Sequence, residues 1–210
     1  MNKYKNIIQD LLIVMAIVIL SISLDINEGI YYYIGEFSGN AIFGFILWSM
    51  PFIIIASSTL KEATKQFQKV YFYYAYRLEK RDKFIWRLII KMIVIVSLLV
   101  SIRYIVYFLL YKSSLDISLL IMSYIYMVAF TIALVLSTFA IYQIRKDDSV
   151  IAYSIVFYII YSFISFSSLS GHEWITFINI GWFHIITMII LSVVMCFINI
   201  KIINNNYLYD

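Results

Sequence analysis

Side chains that could carry out chemistry are few in this chain and lie far apart. His172 and Glu173 are adjacent and are both metal-ligand types, but no second His or Cys lies near them. A solvated loop anchored by Trp174 is therefore the favoured interpretation of this stretch. Cys196 is the single cysteine, so it predicts neither an internal disulfide nor a cysteine metal cluster.

Sequence motifs for catalysis are also missing. The chain has no His-Glu-x-x-His, no Gly-x-Ser-x-Gly and no Gly-rich phosphate loop. We therefore predict no catalytic residues, no metal and no bound cofactor. If ATP drives this protein, another chain must bind it.

Most of the positive charge lies in one segment, residues 61–87, which reads KEATKQFQKVYFYYAYRLEKRDKFIWR. It contains no Pro or Gly, and a helical projection divides it into two faces. The apolar face comprises Phe67, Tyr71, Tyr74, Leu78 and Ile85. The opposite face carries Lys65, Lys69, Lys80, Lys83 and Arg87. Arg81 interrupts the apolar face and favours a break into two helices.

Two functions fit a helix of this kind, and they are compatible. It could lie in the inner leaflet interface with its cations toward anionic headgroups. It could also dock a cytoplasmic protein partner through the same cations and aromatic rings.

The elements that position this segment are apolar runs. The chain is 63% hydrophobic and 13% charged, and about 20 apolar residues suffice to cross a bilayer as a helix. The runs are continuous rather than alternating, which favours helices over barrel strands. We predict an all-α, polytopic membrane protein with six transmembrane helices in a single domain, 1–210. A cytoplasmic amphipathic helical segment lies between the second and third helices. The predicted spans are 7–24, 41–60, 88–111, 117–142, 150–169 and 178–200.

Local signals mark some of the span boundaries. Asp147 or Asp148 is predicted to cap the fifth span, and Pro51 is predicted to kink the second.

Lys and Arg placement predicts the orientation. One set of loops holds Lys3 and Lys5, the 61–87 segment, Arg145 with Lys146, and Lys201. The other set holds Lys112 alone. Cytoplasmic loops are enriched in Lys and Arg, so both termini are predicted to be cytoplasmic in a multi-pass bacterial cell membrane protein. The net charge of +4 is then a topological signal, and no nucleic-acid partner is predicted.

Arg103 and His184 form a candidate intramembrane polar site. Arg103 either snorkels toward the outer surface beside Lys112 or faces the bundle interior. Its candidate interior partners are Glu36, Asp116 and Glu173. His184 is favoured as a hydrogen-bonded interhelical residue rather than a ligand.

The stretch from Tyr76 to Lys91, YRLEKRDKFIWRLIIK, resembles one found in ABC-2-type permeases. The layout of a basic N-terminus, six spans and a long second cytoplasmic stretch is also similar. The resemblance implies the transmembrane subunit of an ATP-driven ABC exporter. It further implies a separate ATPase subunit, with a groove that takes a short helix from this region, and a second permease subunit, identical or different. The docking residues it implies are Arg77, Lys80, Arg81, Lys83, Phe84 and Trp86.

By analogy with that family, the cargo would be peptides, antimicrobials or other amphipathic compounds. One alternative is a membrane-embedded interaction or immunity protein without transport activity. An ATP-independent channel or carrier is less favoured, since few charged residues lie inside the spans.

Overall fold

The structure is a computed structural model that describes residues 12, 41–74, 78–111, 117–145, 147, 149–156 and 182–205. These residues contain helices and no strands, which confirms the all-α prediction for the described part of the chain. The helices are α1 (Ala41–Tyr74), α2 (Leu78–Tyr111), α3 (Ile117–Arg145), α4 (149–156) and α5 (Trp182–Asn205).

Three stretches of the described helices are long and apolar enough to cross a membrane: Lys83–Val106, Leu120–Arg145 and Ile185–Ile202. They coincide with the predicted third, fourth and sixth spans. The second predicted span is helical throughout as part of α1, and the start of the fifth is α4. Apart from Leu12, the first span lies outside the described residues. The chain therefore has the helices of a membrane protein, and the full count of six stays a prediction.

The predicted boundaries at residues 60 and 88 are not helix boundaries. α1 continues to Tyr74, and α2 already begins at Leu78. The basic segment therefore forms extensions of the two flanking helices, and residues 75–77 lie outside the described part. No Pro or Gly stops either helix. Phe67 and Ile85, the two residues of the predicted apolar face whose side chains the structure describes, are buried in the core and pack against the bundle instead of lying on lipid.

Interhelical contacts show which way each helix runs. Glu62 meets Lys91 and Phe52 meets Arg103, so α1 and α2 are antiparallel. The Tyr104 hydroxyl hydrogen-bonds the Ser123 hydroxyl at 2.7 Å, and Ser101 bonds Tyr124 at 2.8 Å. Moving along α2 from Ser101 to Tyr104, the partner on α3 changes from Tyr124 to Ser123, which is a step backward in the sequence. α2 and α3 are therefore also antiparallel.

α3 and α5 run in the same direction. Ser192 Oγ donates to the Ala129 carbonyl at 2.9 Å, and Asn199 Nδ2 donates to the Leu136 carbonyl at 3.0 Å. Both pairs are separated by the same number of residues along the chain, which is the signature of parallel helices. The chain between α3 and α5 must therefore return to the end at which α3 began.

That return starts at α4, immediately after a short turn. The Asp147 carboxylate accepts hydrogen bonds from the Ser149 amide at 2.9 Å and from the Ser149 hydroxyl at 2.5 Å. These bonds hold the pKa of Asp147 below its ordinary value, with a smaller contribution from the charge of Arg145. Asp147 thus caps α4, as one of the two predicted alternatives.

Among the described helices, α3 is the central one and α5 is the peripheral one. α3 packs against α1, α2 and α5, and most of its length is buried. α5 meets α3 along one stripe and exposes large apolar side chains on its other faces, among them Phe183, Ile190 and Phe197. Such a face suits lipid, which solvates apolar side chains as well as a protein core does.

A buried polar contact sets the register of α5 on α3. Asn199 is 0% exposed. Its Nδ2 donates to the Leu136 and Met195 carbonyls, and its Oδ1 accepts from Gln143 Nε2 at 2.7 Å. Sliding α5 along α3 would break three interhelical hydrogen bonds: those of Asn199 with Leu136 and Gln143, and that of Ser192 with Ala129. Because polar groups left without partners in an apolar surrounding are costly, these bonds hold the register.

Candidate functional site

Cations from four separate segments meet at one end of the bundle, here called the basic end. The alternating helix directions bring together the C-terminal parts of α1, α3 and α5 and the N-terminal part of α2. The described cations of the basic end are Lys61, Lys65, Lys83, Arg87, Lys91, Arg145 and Lys201. Arg103 is the remaining cation among the described side chains. The structure thus gathers in space those charges of the predicted cytoplasmic side whose side chains it describes.

An exposed cationic and aromatic face lies at the start of α2. Lys83, Trp86 and Arg87 are exposed on one side of the helix, and Ile85 and Leu88 are buried on the other. Helical spacing places positions 83, 86 and 87 next to each other. We call Lys83, Trp86 and Arg87 the docking face.

Trp86 occupies a boundary on this side of α2. It is 41% exposed and lies one turn before Ile90, the first of the exposed apolar residues that continue along the helix. A Trp at such a boundary anchors a helix at the membrane interface. It also offers a rigid apolar surface to a protein partner.

The six predicted docking residues are placed differently from one another. Lys83 and Trp86 lie together on the docking face. Phe84 is half-buried and packs against the core, so it supports α2 from within. Lys80 and Arg81 are in the first turn of α2, but their side chains, like the whole of Arg77, lie outside the described residues. Arg87 was not among the docking residues, although its spacing of four from Lys83 was a signal for it.

An ion pair ties the α1 extension to α2. Lys91 Nζ lies 3.2 Å from Glu62 Oε1, and the Gln66 amide also bonds this carboxylate. Burial raises the pKa of Glu62. Hydrogen bonds from Lys91 and Gln66, together with the charges of Lys91 and Lys65, outweigh burial and leave the pKa below its ordinary 4.5. A lowered pKa means that the pair stabilises the fold above pH 4.5 and loses this effect as the pH falls through the folded-state pKa.

A second set of contacts ties the α1 extension to α3. Gln68 Nε2 donates to the Tyr142 hydroxyl at 2.7 Å. The Phe67 ring meets the Phe139 ring edge-on, with centroids 5.7 Å apart, and the Tyr142 ring at 6.4 Å. The basic end is therefore a packed continuation of the bundle. Sequence reasoning did not find these contacts, since their partners are distant in the chain.

Arg103 faces the interior of the bundle. Its side chain is 2% exposed, and its guanidinium carbon lies 4.5 Å from the centre of the Phe52 ring. Of the two predicted placements, the interior one is therefore observed. The predicted partners Glu36, Asp116 and Glu173 lie outside the described residues. His184 is helical near the start of α5, and its side chain also lies outside the described part.

Comparisons with models of protein families, with curated proteins and with solved structures found no match to this chain.

Proposed function

We propose that the chain is the transmembrane permease subunit of an ATP-driven ABC exporter, with ATP hydrolysed by a separate subunit. The observation that carries the proposal is the docking face: exposed cations flank an exposed Trp on a helix that continues into the bundle. The resemblance of residues 76–91 to ABC-2-type permeases supports the same assignment. A second permease subunit would complete the transport path.

The length of α2 suits the transmission of movement. Its 34 residues extend about 51 Å at 1.5 Å per residue, while the hydrocarbon core of a bilayer is about 30 Å thick. A partner bound at Lys83 and Trp86 would therefore act on one end of a helix that carries Arg103 toward its other end. The Glu62–Lys91 pair would pass the same displacement to α1.

The topology that we propose has six spans and cytoplasmic termini, in a bacterial cell membrane. The clustering of cations at the basic end supports a cytoplasmic location for that end. The parallel directions of α3 and α5 support an odd number of crossings between them, and one crossing that begins at α4 is the simplest solution.

Cysteine labelling tests the topology. In a Cys196→Ala background, we expect Ser113→Cys to react with an impermeant maleimide in intact cells. Arg145→Cys, exposed at the basic end, should react only after the membrane is opened. Labelling of position 145 in intact cells would reverse the proposed orientation.

Co-purification tests the function. The tagged chain, extracted in mild detergent, is expected to retain an ATP-hydrolysing subunit and a second permease subunit. Amphipathic peptides are expected to stimulate ATP hydrolysis by the reconstituted complex, since they are the proposed cargo. If no nucleotide-binding chain is recovered after crosslinking in native membranes, the permease assignment fails. A partner of another kind would then favour an interaction or immunity protein.

A further inference from the structure

A cleft of about 520 Å³ opens between α1 and the start of α4. α1 lines it with Ser57, Lys61, Lys65 and Gln68, and α4 lines it with Ile151 and Ile155. One wall is thus polar and cationic, and the other is apolar.

The cationic wall is a single stripe of α1. Positions 57, 61, 65 and 68 recur at intervals of three or four, so they share one helix face. Lys61 and Lys65 are one turn apart and both exposed. The ion pair of Glu62 in the described part of the chain is made with Lys91, and Lys65 interacts with that carboxylate only through its charge. Gln68 is held beside them by its hydrogen bond to Tyr142. Two ammonium groups one turn apart suit an anion with several oxygens, such as a phosphate diester.

The apolar wall of the cleft and its level in the membrane point to a lipid. Ile151 is buried and Ile155 is half-buried on the facing helix. Lys61 directly follows the last apolar residue of the predicted second span, which is the level of phospholipid headgroups. A soluble phosphate would contact only the lysines, whereas a phospholipid would also cover the exposed part of Ile155.

We propose that this cleft binds an anionic phospholipid of the inner leaflet. The phosphate lies between Lys61 and Lys65, and the first carbons of an acyl chain lie against Ile151 and Ile155. The site is separate from the docking face, which is on α2. The lipid supports the junction of α1 and α4 from the membrane side.

Native mass spectrometry of the full-length protein, released from detergent with added lipid, tests this site. Dioleoylphosphatidylglycerol is expected to bind about tenfold more tightly than dioleoylphosphatidylcholine, because each cation adds appreciable attraction for an anionic headgroup. Lys61→Gln/Lys65→Gln is expected to abolish this preference. The matched control, Lys83→Gln/Arg87→Gln, removes the same charge from the basic end but not from the cleft, and should change the preference less than about twofold.

A second variant separates a lipid from a soluble anion. Ile155→Ser is expected to weaken binding of dioleoylphosphatidylglycerol while leaving the affinity for glycerol phosphate itself unchanged. If glycerol phosphate displaces the lipid at equal concentration, the ligand is a soluble anion and the proposal is wrong. An equal loss of lipid preference in both double variants would also overturn the proposal, since the attraction for the anionic headgroup would then depend on the total charge of the protein. Circular dichroism of each variant checks that the helices are intact. No ATPase is present in these measurements, so the lipid site and the permease assignment can fail independently.

Discussion

Replacing Trp86 with Ala is expected to reduce the ATPase subunit retained per permease by tenfold or more, with membrane insertion unchanged. A large, rigid ring flanked by cations is the usual composition of an interface hot spot, for which truncation costs about 2 kcal/mol or more, or about 30-fold in affinity. Trp86 is 41% exposed in the isolated chain, so its removal leaves no cavity in the core. The measurement is the ratio of the two subunits after detergent extraction.

Trp182→Ala is the matched control for this experiment. Trp182 is 62% exposed at the first residue of α5, at the opposite end of the bundle. If both Trp residues only anchor helices at the membrane interface, the two variants should behave alike. Equal retention of the ATPase in Trp86→Ala and Trp182→Ala would therefore remove the docking role.

The same measurement of ATPase retention can be applied to the two arginines that precede the docking face. Arg77→Lys or Arg81→Lys keeps the charge but loses the planar guanidinium that binds carboxylates with two hydrogen bonds. We expect at least one of these changes to lower retention. If no charge-preserving change lowers retention of the ATPase subunit, the basic end interacts with lipid or protein through its charge alone.

Replacing Phe52 with Leu is expected to destabilise the bundle by about 2–3 kcal/mol. About 1 kcal/mol comes from the smaller apolar side chain. The rest comes from loss of the cation–π contact between the Phe52 ring and the Arg103 guanidinium. A cation stacked on an aromatic ring gains about 2 kcal/mol when both are removed from water, and both side chains here are almost fully buried. Unfolding of the full-length protein in mixed micelles of increasing dodecyl sulfate gives the free energy.

A double-mutant cycle isolates the contact between these two side chains. Phe52→Leu, Arg103→Met and the double variant should show a coupling of about 2 kcal/mol. Phe139→Leu replaces Phe52→Leu in the control cycle, since Phe139 is equally buried but packs at the basic end against Phe67. A coupling below about 0.5 kcal/mol for the Phe52 pair, or an equal one for Phe139, would show that the stacking contributes nothing specific.

Much of the fold follows from local features of the chain. Apolar runs of about 20 residues predict membrane helices because unpaired backbone groups are costly in lipid. The segregation of Lys and Arg predicted which segments end at the same side, and the described cations of α1, α2, α3 and α5 do meet at the basic end. The cap at Asp147 was also among the predictions, since a carboxylate two residues before a helical amide makes its bond within one turn. Helical period also predicted Phe67 and Ile85 as apolar contact residues. Both are buried, although they lie on two antiparallel helices and not on one continuous face.

Other features required the packed bundle. The period of residues 61–87 could not show whether their apolar face meets lipid or protein, since both accept Phe67 equally well. The answer came from Phe139 and Tyr142 on α3, which supply a protein surface at that level. The burial of Arg103 likewise depends on other helices, since its guanidinium lies over the ring of Phe52 on α1. The partners Glu62 and Lys91, or Gln143 and Asn199, are far apart in sequence. Helical period assigns each side chain to a face of its own helix, whereas the crossing and register of neighbouring helices decide what that face touches.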